Sequence, residues 1–257
     1  MRNLVPSRMS EFDEEFASLR LAGFGDGIDS CAILISRVPP GHRGPRLHTH
    51  PSDQFYFVVE GRTTVQIGAE TFEVPPLSLV RFPAGVPHCN WNATDEYETH
   101  VEVIVPRPPE EQIIAYYDGE PPVVPGAADL IRPLKPDDWT DRPFSSQQLA
   151  MREWGSQHCR IYAARVGGGV RGPALHFHDF DQFYFILKGS FAVRVGHEVH
   201  SAKAGDLVVL PRGVVHENWN ASDEEEMHLT IIVPEPEDGT QFDYKVDVKY
   251  DARPPFT

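Results

Sequence analysis

The sequence predicts an all-β protein built from two tandem copies of one small, closed double-sheet barrel. Two observations carry that expectation. Of the 257 residues, 24 are Pro and 20 are Gly, and they fall between short runs rich in Val, Ile, Phe and Tyr. That pattern suits many strands joined by tight turns and not a helical bundle. The second observation is internal repetition. Shifted by 128 positions, the chain superimposes on itself without a gap through its histidine-rich segments.

The repeat sets the order of elements. His48-Thr49-His50 falls on His176-Phe177-His178, and Gln54-Phe55-Tyr56-Phe57 falls on Gln182-Phe183-Tyr184-Phe185. Pro83, Gly85, His88, Asn90, Trp91 and Asn92 fall on Pro211, Gly213, His216, Asn218, Trp219 and Asn220. Residues 54–60, 63–67 and 99–105, with their counterparts 182–188, 191–195 and 229–233, read as strands. Glu60-Gly61, Pro83-Ala84-Gly85 and Lys188-Gly189 read as turns between them. About eight strands per copy suit a closed double-sheet barrel. Outside the repeat, Phe12, Phe16 and Leu19 are spaced for one amphipathic helix over residues 10–21. Residues 106–143, with their repeated prolines, hold the connection between barrels. Asp129-Leu130-Ile131 begins to echo the N-terminus, which places the domains at 1–127 and 128–257.

Composition narrows the function. A net charge of -15 argues against nucleic acid, whose phosphates need clustered Lys and Arg, and against an anionic membrane surface. No apolar run approaches the roughly 20 residues of a membrane span, and the first eight residues have no apolar signal-peptide core. A cytoplasmic, reducing setting is expected. The three cysteines form no C-x-x-C pair and no disulfide framework. Cys31 and Cys159 occupy equivalent positions and read as small buried strand residues. A small-molecule partner remains.

The chemistry lies in the repeated polar residues. Alternate residues of a strand share a face, so His48 points with His50, and His176 with His178. A turn after His50 returns the chain so that Gln54 joins them, as Gln182 does in the second copy. A distant hairpin, shaped by Pro83-x-Gly85, supplies His88; Pro211-x-Gly213 supplies His216. Three imidazoles suit Fe, Mn, Ni, Cu, Co or Zn and leave positions for water or substrate. One divalent transition metal per barrel is expected.

The spacings His48-x-His50-x3-Gln54-x6-Gly61 and Pro83-x-Gly85-x2-His88-x3-Asn92 resemble the two signature motifs of the cupin superfamily. In the second copy Gly205-x5-Pro211-x-Gly213-x2-His216-x3-Asn220 fits the second motif in full, whereas Leu77 replaces the leading glycine of the first. The resemblance implies a double-stranded β-helix of the jelly-roll type, with one or a few short helices, a metal in each barrel and a possible homodimer. Most metal cupins place Glu where this chain has Gln54 and Gln182. A carboxamide is a neutral ligand that takes no proton near neutral pH, so the metal keeps its full charge and favours an anionic, bidentate substrate. Proton transfer must then come from another group. Three-His-plus-Gln sites resemble those of the bacilysin-pathway bicupin isomerase and of cupin polyketide cyclases, and ring-cleaving cupin dioxygenases also use three histidines. The first expectation is a dioxygenase dependent on Fe(II) or another divalent metal, chelating an enolic, catecholic or 2-oxo-acid substrate. The alternatives are a redox-neutral isomerase or cyclase, and a ligand or metal sensor.

Four further residues are candidates for catalysis. Tyr56 and Tyr184 share strand parity with the glutamines and either donate to bound oxygen or fill the core. His100, with His228 as its counterpart, is either an acid–base group or a solvent-facing strand residue. Arg46, two residues before His48 and opposite Ala174 in the second copy, either clamps a substrate carboxylate or pairs with a surface acid. Cys89, beside His88 but pointing away from it, has nothing to activate it as a nucleophile.

Overall fold

The structure is a computed structural model that describes residues 2–7, 15–109 and 114–248. It divides into two compact units, Arg8–Leu134 and a second formed by Met1–Ser7 with Lys135–Thr257. In the first unit, strands β2 (Ala17–Ala22), β3 (Ala32–Val38), β5 (Asp53–Glu60), β8 (Ser78–Phe82), β10 (Glu98–Val105) and β12 (Ile131–Pro133) form one sheet. Their order is β12-β8-β5-β10-β3-β2. A facing five-stranded sheet runs β11 (Ala115–Tyr116), β4 (His48–Thr49), β9 (His88–Trp91), β6 (Thr63–Ile67) and β7 (Glu70–Val74).

The second unit repeats this plan. Its larger sheet contains β1 (Leu4–Pro6), β13 (Phe144–Ala150), β14 (Arg160–Val166), β16 (Asp181–Lys188), β19 (Asp206–Leu210) and β21 (Glu226–Val233), in the order β1-β19-β16-β21-β14-β13. The smaller holds β15 (His176–Phe177), β17 (Ser190–Val195), β18 (Glu198–Lys203), β20 (His216–Trp219) and β22 (Tyr244–Lys245), in the order β18-β17-β20-β15-β22. Helical structure among the described residues is limited to three short 3-10 turns, Ala127–Leu130, Pro136–Asp138 and Arg152–Trp154. None of the described helices is long and apolar enough to cross a membrane.

The cores match at seven positions. Tyr56, Val58, Val65, Ile67, Val74, Val80 and Phe82 pack together in the first barrel. Their counterparts Tyr184, Ile186, Val193, Val195, Ala202, Val208 and Leu210 do so in the second. Cys31 and Cys159 are fully buried where β3 and β14 begin.

Two sequence expectations need correction. Residues 10–21 are not a helix where they are described, because Ala17–Ala22 is an edge strand paired with β3; residues 10–14 lie outside the described residues. A lone short helix is marginal in water, whereas an open sheet edge offers each backbone group a partner. The division between the compact units falls after Leu134, not after residue 127. Ile131–Pro133 pairs with Ser78–Val80 in the first barrel, while Leu4–Pro6 pairs with Asp206–Val208 in the second. The echo between residues 129–131 and the N-terminus is therefore a pair of equivalent strands, each completing the barrel that the other half of the chain builds.

The missing glycine of the first copy has a structural consequence. Leu77 holds the left-handed turn with φ of 58°, the place where Gly205 has φ of 89°. Its N–H donates to the Val58 carbonyl at 2.8 Å, as Gly205 donates to Ile186 at 2.9 Å. A side chain in this region costs roughly 1–2 kcal/mol, and Leu77 is 37% exposed, so little packing offsets it. Leu77→Gly is expected to stabilise the first barrel by about 1 kcal/mol, read from the midpoint of chemical denaturation; an unchanged or lower midpoint would show that the turn carries no strain.

Candidate metal centres

Each site starts from a two-residue strand that is too short to position two side chains by itself. β4 pairs with β9 through His48 opposite His88, and β15 with β20 through His176 opposite His216. The hairpin carrying the third histidine is tied to the second. Gly85 N–H donates to the His50 carbonyl at 2.9 Å, and Gly213 N–H to the His178 carbonyl at 2.8 Å. The Asp53 carboxylate accepts from Ala84 N–H at 2.9 Å and from Arg81, and Asp181 accepts from Arg212 N–H at 2.8 Å. Asn92 and Asn220 brace the far end of each hairpin with paired amide bonds to backbone carbonyls. The metal-facing atoms of His48, His50 and His88 lie within 4.8 Å of one another, and so do those of His176, His178 and His216.

All six imidazoles are locked in the same tautomer. Nδ1 of His48, His88, His176 and His216 each faces the carbonyl two residues earlier, at 2.8–3.0 Å. His50 Nδ1 faces Ser52 O and His178 Nδ1 faces Phe242 O, both at 2.7 Å. A carbonyl only accepts, so every Nδ1 carries the proton and every Nε2 offers a lone pair inward. Gln54 Oε1 then lies 3.0 Å from both His50 Nε2 and His88 Nε2. Lone pairs at that separation repel unless a cation lies among them, and about 3 Å is the spacing of neighbouring ligands on bonds near 2.1 Å. In the second barrel His178 Nε2, His216 Nε2 and Gln182 Oε1 are buried without a hydrogen-bond partner. Such orphans carry a penalty that ligation removes. The donor set of both barrels fits a divalent transition metal.

The surroundings of the two sites differ. In the first, the Gln54 amide donates to Glu102, a residue the repeat does not mark because its counterpart is Thr230. It also points its NH2 at the Tyr56 hydroxyl, 3.3 Å away. Burial holds the Glu102 carboxyl above the usual carboxylate range, against the pull of His100 and of the Gln54 hydrogen bond. Tyr56 lines the cavity and is pushed well above its ordinary value by burial and then by Glu102 and Glu98, so it stays a hydrogen-bond donor at neutral pH. His100 is buried, not solvent-facing: its ring stacks on Tyr56 at 4.2 Å and its Nδ1 lies 2.8 Å from the buried Glu98. Burial works to lower His100, but the Glu98 carboxylate outweighs it and the imidazole titrates above its ordinary value. His228 and Glu226 repeat the pair at 2.8 Å beside Tyr184, whose hydroxyl burial likewise pushes up. Strand parity from the histidines would have found Glu98 and Glu226.

Arg46 is corrected. It does not reach inward but pairs with Asp118 on the surface, stacked over Tyr116, with its side chain 59% exposed. The parity argument fails because β4 begins only at His48, and Arg46 lies in the bend before it. Cys89 points away from the site toward Gln66, and burial pushes its thiol up.

Cavities open at both sites. The first, about 260 Å³, is walled by Pro45, Ile104, Pro108 and Ile114 around His48, His50, Gln54, Tyr56 and Glu102. The second, about 480 Å³, adds Tyr162, Asn218 and Asp243 to its histidines, with apolar walls from Phe144, Val166, Val170 and Phe242.

Fold and site together define a pair of histidine-lined β-barrels built to hold metal. The Cupin domain model matches residues 34–105 and 164–233, more than half of the chain, and the protein belongs to the cupin family. Among curated relatives, auxin-binding protein 4 of Zea mays is 28% identical over 119 residues, 42% of this chain and 57% of that protein. An uncharacterised protein of Streptomyces coelicolor is 38% identical over 61 residues, 24% of this chain and 55% of that protein. The chain thus spans little more than half the length of the curated relatives it matches. Solved bicupin structures agree in fold. A Bacillus subtilis oxalate decarboxylase variant superimposes with a TM-score of 0.72 at 14% identity, covering 92% of this chain and 78% of that one. The formate complex of Lactobacillus farciminis oxalate decarboxylase gives 0.71 at 15%, covering 90% and 86%. A structure from work on the Mn(II) centres of the Bacillus subtilis enzyme gives 0.67 at 15%, covering 86% and 73%.

Buried imidazoles make the metal-free chain sensitive to acid. Burial lowers His216 to about 3, and the neighbouring His178 is lowered too. A histidine whose folded value lies below its unfolded value contributes its full stability above about 6.5 and loses it as pH falls toward the folded value. The second barrel of the metal-free chain is expected to lose on the order of 2 kcal/mol from His216 between pH 7 and pH 5. Denaturation at the two pH values tests this: His216→Gln should flatten the dependence, and an equal slope in that variant would refute the assignment.

Proposed function

We propose that the chain is a small-molecule metalloenzyme whose first barrel moves a proton on an enolic, catecholic or 2-oxo-acid substrate held through two oxygens. This is the redox-neutral isomerase or cyclase reading. The observation that carries it is Glu102, a half-buried carboxylate that holds the Gln54 amide and lines the cavity beside His48 and His50.

A divalent metal bound by His48, His50, Gln54 and His88 supplies Lewis acidity toward a carbonyl. The remaining work belongs to the chain. Glu102 turns the Gln54 amide so that Oε1 faces the histidines, and its carboxylate lies within the cavity, where a substrate C–H or O–H can deliver a proton. The Tyr56 ring stacks on His100, which pairs with Glu98, and its hydroxyl would donate to a substrate oxygen. Ile104, Pro108 and Ile114 exclude water from that exchange.

The dioxygenase reading rests on the second barrel. Its larger cavity has apolar walls suited to an aromatic substrate, and Thr230 replaces the glutamate of the first. His176, His178, His216 and Gln182 would hold an iron ion at this cavity, beside the apolar walls.

Turnover on a panel of diketones, 2-oxo acids and catechols, under air and anaerobically in D2O, separates the two. The proton-transfer reading expects anaerobic incorporation of deuterium into the substrate. It also expects Glu102→Gln to reduce that exchange about 100-fold with metal content unchanged. Turnover that requires O2 and survives Glu102→Gln would reject it in favour of the dioxygenase.

A further inference from the structure

The two barrels each carry a strap that crosses the mouth of the site and adds a short strand beside the first histidine. In the first barrel Ala115–Tyr116 pairs with Thr49 and His48, and Tyr117 N–H donates to Leu47 O at 2.9 Å. In the second Tyr244–Lys245 pairs with Phe177 and His176, and Val246 N–H donates to Leu175 O at 3.0 Å. The straps are equivalent in register and opposite in chemistry. The residue before the strand is Ile114 in the first barrel and Asp243 in the second, and each lines its cavity.

We infer that the C-terminal strap, residues 242–246, is part of the second metal centre, and that Asp243 is its carboxylate. The inference rests on the reading that the second triad holds a cation. Two contacts support it. The Phe242 carbonyl fixes the His178 tautomer from the strap, whereas His50 finds its carbonyl locally at Ser52. Asp243 Oδ1 lies 3.8 Å from His176 Nε2, the atom that faces the metal position, and 3.6 Å from His178 Nδ1. That is within an ångström of the roughly 3 Å between neighbouring ligands, so the carboxylate borders the cation either as a ligand or as acceptor for a bound water.

The strap is anchored well enough to hold this position. Phe242 packs against Phe180 at 4.9 Å and against His178, and Tyr244 stacks on Phe177 at 5.0 Å. Among the described residues that line the two cavities, the acid is Glu102, bonded to the Gln54 amide, in the first and Asp243, on the strap, in the second. Where the first barrel has Glu102, the second has Thr230; where the second has Asp243, the first has Ile114. The consequence is electrostatic. A carboxylate facing the cation lowers the net charge of the second site by one, so it selects ligands of lower negative charge than the first.

The test uses the full chain with the first site disabled by His50→Ala, so that bound Co(II) reports the second barrel. Chelator competition and the visible Co(II) spectrum are the readouts. Asp243→Asn is expected to weaken Co(II) binding by about 10-fold, to shift the spectrum and to tighten azide binding to the bound metal; Asp243→Glu recovers the affinity. In a His178→Ala chain, where the first barrel reports, Asp243→Asn should change nothing. Affinity, spectrum and azide binding that are all indifferent to Asp243→Asn in the His50→Ala chain would overturn the proposal. A His50→Ala chain that keeps its circular dichroism but binds no Co(II) would instead remove the second metal centre itself, and the strap's role with it.

Discussion

Everything at the two sites depends on a proton that never reaches the cavity. Each ligating imidazole donates Nδ1–H to a backbone carbonyl, and so its other nitrogen must present a lone pair inward. The backbone thereby sets both the tautomer and the ring orientation before any ion arrives. Four of the six carbonyls lie two residues before their histidine, a distance the local extended chain supplies unaided. The other two, Ser52 O and Phe242 O, come from a turn and from the strap. Burial works in the same direction: it lowers His88 and His216 to about 3, which keeps the lone pairs free across the physiological range.

Such preorganisation has a cost that the fold carries elsewhere. Converging acceptors repel, and buried acceptors without partners are unfavourable. What holds them together is the hairpin carrying the third histidine, tied by Gly85 and Gly213 to the carbonyl of the second, and by Asp53 and Asp181 to the turn between them. These bonds belong to the backbone and to one carboxylate per barrel. They are the same in both copies, although the walls around them have diverged.

Much of this was legible in the sequence because the duplication supplied its own control. A histidine that recurs at a fixed spacing in two copies is set apart from the solvent-facing histidines that do not, and His48, His50, Gln54 and His88 stood out with their counterparts for that reason. The same comparison hid what is not repeated. Glu102 faces Thr230 across the repeat, and Asp243 follows the last barrel strand, so neither lay in the aligned pattern. Arg46 lies in a bend before β4, where strand parity does not apply. Phe12, Phe16 and Leu19 at helical spacing say nothing about an open sheet edge nearby, and β3 offers one to Ala17–Ala22. Local pattern finds repeated chemistry; it does not find partners that tertiary contact selects.

The position of Glu102 also bears on how glutamine would be compatible with the proposed proton transfer. A carboxylate that ligates a dication directly has its basicity drawn down by the metal and lowers the charge available to the substrate. Interposing a carboxamide separates the two duties. Gln54 presents a neutral oxygen toward the histidines, and its NH2 holds the acid one hydrogen bond further back, within the same cavity. Burial raises the Glu102 carboxyl from the ordinary glutamate value, against the pull of His100 and of the Gln54 hydrogen bond. On the proposed proton-transfer reading, an amide in place of the ligand acid would move the acid–base group off the metal without removing it from the site.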